Sequence, residues 1–203
     1  MAKHVWYHSF PARILHWVNA AIIGLLATTG LYIRDPIHFN VFANMDLARK
    51  THFIAMYLMI SGTIFRLYYS YRSKDYREMI FRFKDIKKLP AFVSYYLFLR
   101  KTFPDYEKYN PGQKMLYSVW AIVLLFQVAT GFALYYPTRF GHIVREVGGL
   151  VVIRQAHFMV TWILIITVSI HVYLSFLSGW TVVKSMIVAV EKEKPLTKKT
   201  VSV

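Results

Sequence analysis

Four histidines stand inside long apolar stretches of the chain: His16, His52, His157 and His171. An ionisable side chain placed in hydrocarbon needs a partner, and by default it marks function. His157 and His171 lie in RQAHFMVTWILIITVSIHVYL, fourteen residues apart. In a helix advancing ~100° and ~1.5 Å per residue, that separation is within ~40° of four turns and ~21 Å of rise. The two rings therefore share a face, one near each side of a membrane. Imidazoles meeting across a helix bundle can be the axial ligands of a b-type haem, which needs no thiol and a dry pocket. A zinc or copper centre would instead want three or four converging ligands, and no carboxylate lies within these stretches. A histidine in a bundle can also simply hydrogen-bond a backbone carbonyl.

The elements that must position these rings follow from composition. The chain has 203 residues, 56% hydrophobic and 17% aromatic, with the apolar residues in blocks. Windows of about 20 apolar residues, enough to cross ~30 Å of hydrocarbon, occur at roughly 13–33, 50–70, 115–136 and 153–178. The expected fold is all-α: a transmembrane four-helix bundle with a long cytoplasmic amphipathic loop between the second and third helices. Residues 1–190 form one membrane domain and 191–203 a charged, mobile tail. The first window follows charged and aromatic residues and lacks a small-residue cleavage site, so it reads as a retained helix and not as a signal peptide. Cysteine is absent, which excludes disulfides, thiolate zinc, cysteine-held iron–sulfur clusters and covalent c-type haem.

The formal charge is +15, and nineteen of the 25 Lys and Arg lie at or before the start of the first helix, from Arg66 to Lys114 between the second and third helices, or after the fourth. Positive-inside bias then puts both termini and the long loop in the cytoplasm, with the chain in the cell membrane. The charge reads as an orientation signal that meets anionic lipid, with no nucleic-acid partner. In this orientation the first helix starts inside, the second starts outside and the fourth enters from outside. The histidines sort by depth into an inner pair, His16 with His171, and an outer pair, His52 with His157. Two pairs imply two metal centres. His4, His8, His38 and His142 fall in terminal or loop segments and read as surface residues. Gly30, Gly62 and Gly131 interrupt apolar helices, where a missing side chain admits another helix or a flat porphyrin. Arg13, Arg49, Lys50 and Arg154 flank the histidine levels and can meet haem propionates or snorkel to the lipid surface.

The stretches PARILHWVNA with TTGLYI, RKTHFIAMYLMISGTIFRLYY and RQAHFMVTWILIITVSIHVYL resemble the cytochrome b subunits of respiratory nickel–iron hydrogenases and of membrane formate dehydrogenases. The resemblance covers nearly the whole chain. One, one, none and two histidines along the four helices is the pattern of this group; in the quinol-oxidising cytochrome b of bc complexes two helices each carry a pair. The resemblance implies a non-catalytic electron-transfer subunit that anchors an outward-facing catalytic subunit. It would accept electrons from an iron–sulfur subunit, pass them inward over two haem b groups and reduce quinone, expected to be menaquinone, near the inner face. It implies His52 and His157 as ligands of the outer haem iron, and His16 and His171 as ligands of the inner one.

The segment KYNPGQK, residues 108–114, is closer to the formate dehydrogenase version, where the corresponding loop approaches the quinone. Asn110, Gly112 and Gln113 are candidates for that role beside His171, and the same residues suit a polar turn ahead of a helix. The first two helices lean toward the hydrogenase type. In a different class, a non-redox transport or assembly protein would bind a proton or metal at the histidines. Transporters of this size show broken helices or repeated halves, and neither is visible. A self-contained superoxide:quinone oxidoreductase would use a similar four-helix, two-haem scaffold.

Overall fold

A computed structural model describes residues 4–6, 9–102, 106, 109–177, 180–188 and 191–193. Four long helices dominate it: α1 (Phe10–Arg34), α2 (Met45–Ser73), α6 (Pro111–Tyr135) and α8 (Leu150–Leu177). Between α2 and α6 lie three short ones, α3 (Tyr76–Met79), α4 (Phe83–Ile86) and α5 (Leu89–Tyr96); α7 (Gly141–Glu146) precedes α8, and α9 (Trp180–Ile187) follows it.

The ends of these helices are written in their sequences. Proline in the first turn opens α1 and α6, where its missing N–H would have no helical partner in any case. Asn44 caps α2 by accepting from the Leu47 N–H at 2.8 Å, and Lys74 closes it in the left-handed region at φ 60°. Gly148 and Gly149, at φ 97° and 92°, reverse the chain from α7 into α8. That conformation suits glycine and few other residues.

The long helices pair as two antiparallel hairpins, α1 with α2 and α6 with α8, with little contact between the hairpins. In the first, Gly30 lies against His52, Asn19 against Gly62 and Ser9 against Tyr69, which fixes the register from end to end. In the second, Thr130 meets His157, Gln127 meets Thr161 and Trp120 meets Thr167. Large apolar side chains such as Ile54, Leu58, Ile122, Leu125, Ile163 and Ile166 point outward, as lipid-facing residues must. At mid-depth Ile22, Ala55 and Met59 form a small buried cluster, joined by Ile23, Leu26 and Leu124.

The helices α1, α6 and α8 are each long and apolar enough to cross a membrane. The second window behaves differently from expectation. Its helix, α2, has 29 residues, ample length for a span, but Arg49, Lys50, Arg66 and Arg72 dilute its apolar character. Its case for spanning rests on its alignment along the whole of α1.

The segment between α2 and α6 forms three short helices, two of which, α3 and α5, pack on α6. The Phe92 ring of α5 covers Gly112, whose missing side chain makes the approach possible: a Cβ there would collide with the ring. Beside it, Asp85 and Lys114 form an ion pair at 3.6 Å, with side chains 1% and 7% exposed. The connection between α6 and α8, expected as loop, contains α7, held by the buried cluster Ala133, Val144 and Ile153. A three-residue strand, β1 (His4–Trp6), pairs antiparallel with β2 (Glu191–Glu193), joining the two ends of the chain. The expected mobile tail therefore begins with paired residues. His8, Lys108 and residues 194–203 lie outside the described residues.

Candidate metal centres

At the outer level, His52 of α2 and His157 of α8 face one another across the gap between the hairpins, ring centroids 6.4 Å apart and planes at 67°. Each ring is held from within its own hairpin. Thr29 Oγ1 on α1 stands 2.8 Å from His52 Nδ1, and Thr130 Oγ1 on α6 stands 2.8 Å from His157 Nδ1. The residue after each threonine is glycine. A Cβ on Gly30 would rest 3.5 Å from His52 Cε1, and one on Gly131 would rest 3.6 Å from His157 Cε1. Gln127 ties α6 to α8 at the same level, donating to the His157 carbonyl and to Thr161 Oγ1, both at 3.1 Å.

At the inner level, His16 of α1 and His171 of α8 lie with ring centroids 6.3 Å apart at 55°. The Trp120 ring packs edge-on to His171 at 5.3 Å, and its indole N–H donates to Thr167 at 2.9 Å. Arg66, on α2, is four turns from His52 and therefore on the same face at the inner level. One of its terminal nitrogens bonds Asp75 at 3.2 Å and Met79 Sδ at 2.9 Å. The other, Nη1, is buried without a partner.

These distances fit an iron held between two imidazoles. A metal–imidazole bond of about 2.0–2.1 Å on each side, plus about 1.2 Å from ring atom to ring centre, predicts centroids roughly 6.4 Å apart. Among the described residues, no three His, Cys, Asp or Glu side chains come together as a metal site. The chain thus offers two opposed nitrogens per level, which suits a metal whose remaining ligands belong to a planar macrocycle. The glycines keep side chains off the ligand rings where such a plate would extend. Buried, unpartnered Arg66 Nη1 and Arg13 Nε are donors suited to its acidic side chains.

The other candidate residues separate clearly. Gly62 serves helix approach, because a Cβ there would sit 2.5 Å from Asn19 Oδ1, whereas Gly30 and Gly131 face ligand rings. Among the flanking cations, Arg13 reaches the Ile187 carbonyl at 3.5 Å. Lys50 pairs with Asp46 at 2.7 Å on the surface, and Arg49 and Arg154 are exposed. His38 is exposed and pairs with Asp35 at 2.7 Å; His142 is exposed too.

Asn110, Gly112 and Gln113 come together with His171, lining one pocket with Leu116, Leu174 and Ser175. The first and last of the three also cap α6 reciprocally. Asn110 Oδ1 accepts from the Gln113 N–H at 2.8 Å, and Gln113 Oε1 accepts from the Asn110 N–H at 3.1 Å. Their oxygens are engaged in the cap, which leaves the amide nitrogens for the pocket.

Sequence reasoning passed over Thr29, Thr130 and Arg66. Two signals were present: the dipeptide Thr-Gly recurs at 29–30 and 130–131, and Arg66 follows His52 by the same fourteen residues that separate His157 from His171.

The profile of a family described as prokaryotic cytochrome b561 matches residues 7–188. A protein of Azotobacter vinelandii named "Probable Ni/Fe-hydrogenase B-type cytochrome subunit" is 30% identical over 191 residues, covering 84% of this chain and 80% of its own. Its namesake in Azotobacter chroococcum mcd 1 is 31% identical over the same shares. One from Rhizobium leguminosarum bv. viciae is 29% identical over 211 residues, covering 91% of this chain and 87% of its own.

Proposed function

The chain belongs to the prokaryotic cytochrome b561 family, and from that premise we propose that it is the electron-transfer and anchor subunit of a nickel–iron hydrogenase, delivering electrons to quinone. The observation that carries this reading is the pair of opposed histidine couples, centroids 6.4 and 6.3 Å apart, each shared between the two hairpins. The relatives reported above are named as hydrogenase subunits, which favours that partner over a formate dehydrogenase.

In this reading His52 and His157 ligate iron at the outer level, and His16 and His171 ligate it at the inner level. A b-type haem bound at each level supplies one-electron redox chemistry. The chain's own residues do the rest. The hairpins hold the ligand rings at fixed spacing, Gly30 and Gly131 leave room beside them, and the half-buried Arg66 offers a buried Nη1 donor at the inner level. The outer connections face the iron–sulfur and catalytic subunits of the hydrogenase. Both termini and the helices α3–α5 lie on the cytoplasmic side of the cell membrane. At the inner pocket the amide nitrogens of Asn110 and Gln113 donate to a quinone oxygen near His171, and menaquinone is the expected substrate.

The test is purification from membranes grown with adequate haem supply. Two b haems per chain with low-spin bis-imidazole spectra are expected, together with hydrogenase subunits in the same fraction. Haem content near zero would refute the cofactor assignment, and partners other than a hydrogenase would refute the assembly.

A further inference from the structure

We propose that Thr29 and Thr130 are positioning residues that hold the outer site at a lower redox potential than the inner one; this rests on haem occupancy at both levels. A threonine hydroxyl has one proton. Thr29 Oγ1 donates it to the Leu25 carbonyl at 2.6 Å, and Thr130 Oγ1 donates to the Phe126 carbonyl at 2.7 Å, the back-bond threonine commonly makes within a helix. With that proton committed, each oxygen can only accept from the ring nitrogen 2.8 Å away. His52 and His157 therefore carry hydrogen on Nδ1 and present the Nε2 lone pair. Two helices in different hairpins do this with the same Thr-Gly dipeptide, so the arrangement occurs twice by the same means.

A ring that donates from Nδ1 gains electron density and becomes a more basic ligand. A more basic axial ligand favours the oxidised metal and lowers the potential, hydrogen bonding being one of the protein's levers on such sites. The inner rings are set differently. Among the described residues, neither His16 nor His171 has a ring hydrogen bond; their neighbours are each other and Trp17 or Trp120. His16 instead lies within Coulomb range of the Arg66 guanidinium, a cation that favours an added electron, with Asp75 offsetting part of the charge. Both differences have the same sign. An electron received at the outer level moves to a more favourable site at the inner level.

Potentiometric titration of the purified full-length protein tests this, with the outer component identified as the one missing from His52→Ala. Thr29→Val and Thr130→Val keep the side-chain shape and remove the hydroxyl. Each is expected to move the outer midpoint to a more positive value, the double variant further, with the inner midpoint unmoved and Thr→Ser restoring the original value. Haem lost from the outer site in the valine variants and regained in the serine variants also supports the assignment. Full haem content with an unshifted outer midpoint, or serine variants that behave like valine, overturns it while leaving the cofactor reading intact. Wild-type protein without haem overturns both.

Discussion

His52 and His157 come from different hairpins, yet their ring centres stand 6.4 Å apart. Neither ring can complete a site alone. His52→Ala and His157→Ala should each remove the same haem, and His16→Ala and His171→Ala should each remove the other. Low-temperature difference spectra of the four variants provide the check, and a pattern that couples His16 with His52 would refute the pairing by depth.

Glycine at 30 and 131 should matter for a different reason from glycine at 62. Gly30→Val and Gly131→Val place methyl groups beside the ligand rings and are expected to lower outer haem content while the helices still form. Gly62→Ala should instead leave the spectrum unchanged and lower thermal stability, since its Cβ would lie 2.5 Å from Asn19 Oδ1. Overpacking of this kind typically costs about 1–3 kcal/mol. Haem content and melting temperature, measured on all three, separate the two roles.

For the inner pocket, the capping geometry dictates the substitutions. Asn110→Leu removes a helix cap and costs about 0.5–2 kcal/mol of stability, which confuses the outcome. Asn110→Asp and Gln113→Glu keep the accepting oxygens, while each donating amide nitrogen is replaced by a carboxylate oxygen that carries negative charge. Both haems should remain and still be reduced by the partner, while reoxidation by a soluble menaquinone analogue slows roughly several-fold, as expected from a lost hydrogen bond of about 0.5–1.5 kcal/mol. Stopped-flow rates equal to wild type would mean that the two residues only cap α6.

Asp85 links the segment between α2 and α6 to α6 in a pH-dependent way. Burial raises its pKa, but the Arg82 backbone N–H and the Lys114 ammonium outweigh this, so the group sits below its ordinary value of 3.8. A carboxyl depressed in the folded state contributes stability above its unfolded pKa and loses it as pH falls through the folded value. Hydrogen-exchange protection across α4 and α5 should therefore be full at neutral pH and fall only below 3.8. Asp85→Asn should show the lowered protection already at pH 7, because the carboxylate that accepts from the Arg82 backbone N–H and meets the Lys114 ammonium is gone. Unchanged exchange in that variant would remove the ion pair as the fastening.

The long helices were legible because each apolar block outlasts a membrane's width, and the window 115–136 became Pro111–Tyr135. The second window, 50–70, grew to Met45–Ser73 because Asn44 and Lys74 set its ends with backbone geometry that hydropathy does not register. The pairing of His16 with His171 and of His52 with His157 was legible because helix rise and alternating helix direction suffice for it. Thr29 and Thr130 were not, since a threonine in an apolar helix ordinarily bonds its own helix, and these two do that as well. The Asp85–Lys114 contact and the seat of Phe92 on Gly112 join residues far apart in sequence, and no local pattern announces such pairs.

In the mid-depth cluster of Ile22, Ala55 and Met59 with Leu124, Ile22 lies about 9 Å along α1 from His16 and Met59 about 10.5 Å along α2 from His52, at ~1.5 Å per residue. Such a layer behaves as the dielectric of a capacitor: it offers ions and protons no hydrogen-bonded path, while tunnelling electrons need none. In the proposed function, electrons pass this layer between the two haem levels, and its apolar side chains carry no proton with them. Each electron that crosses a full 100 mV against the field stores about 2.3 kcal/mol, and a polar residue at position 59 would short that circuit without touching a single ligand.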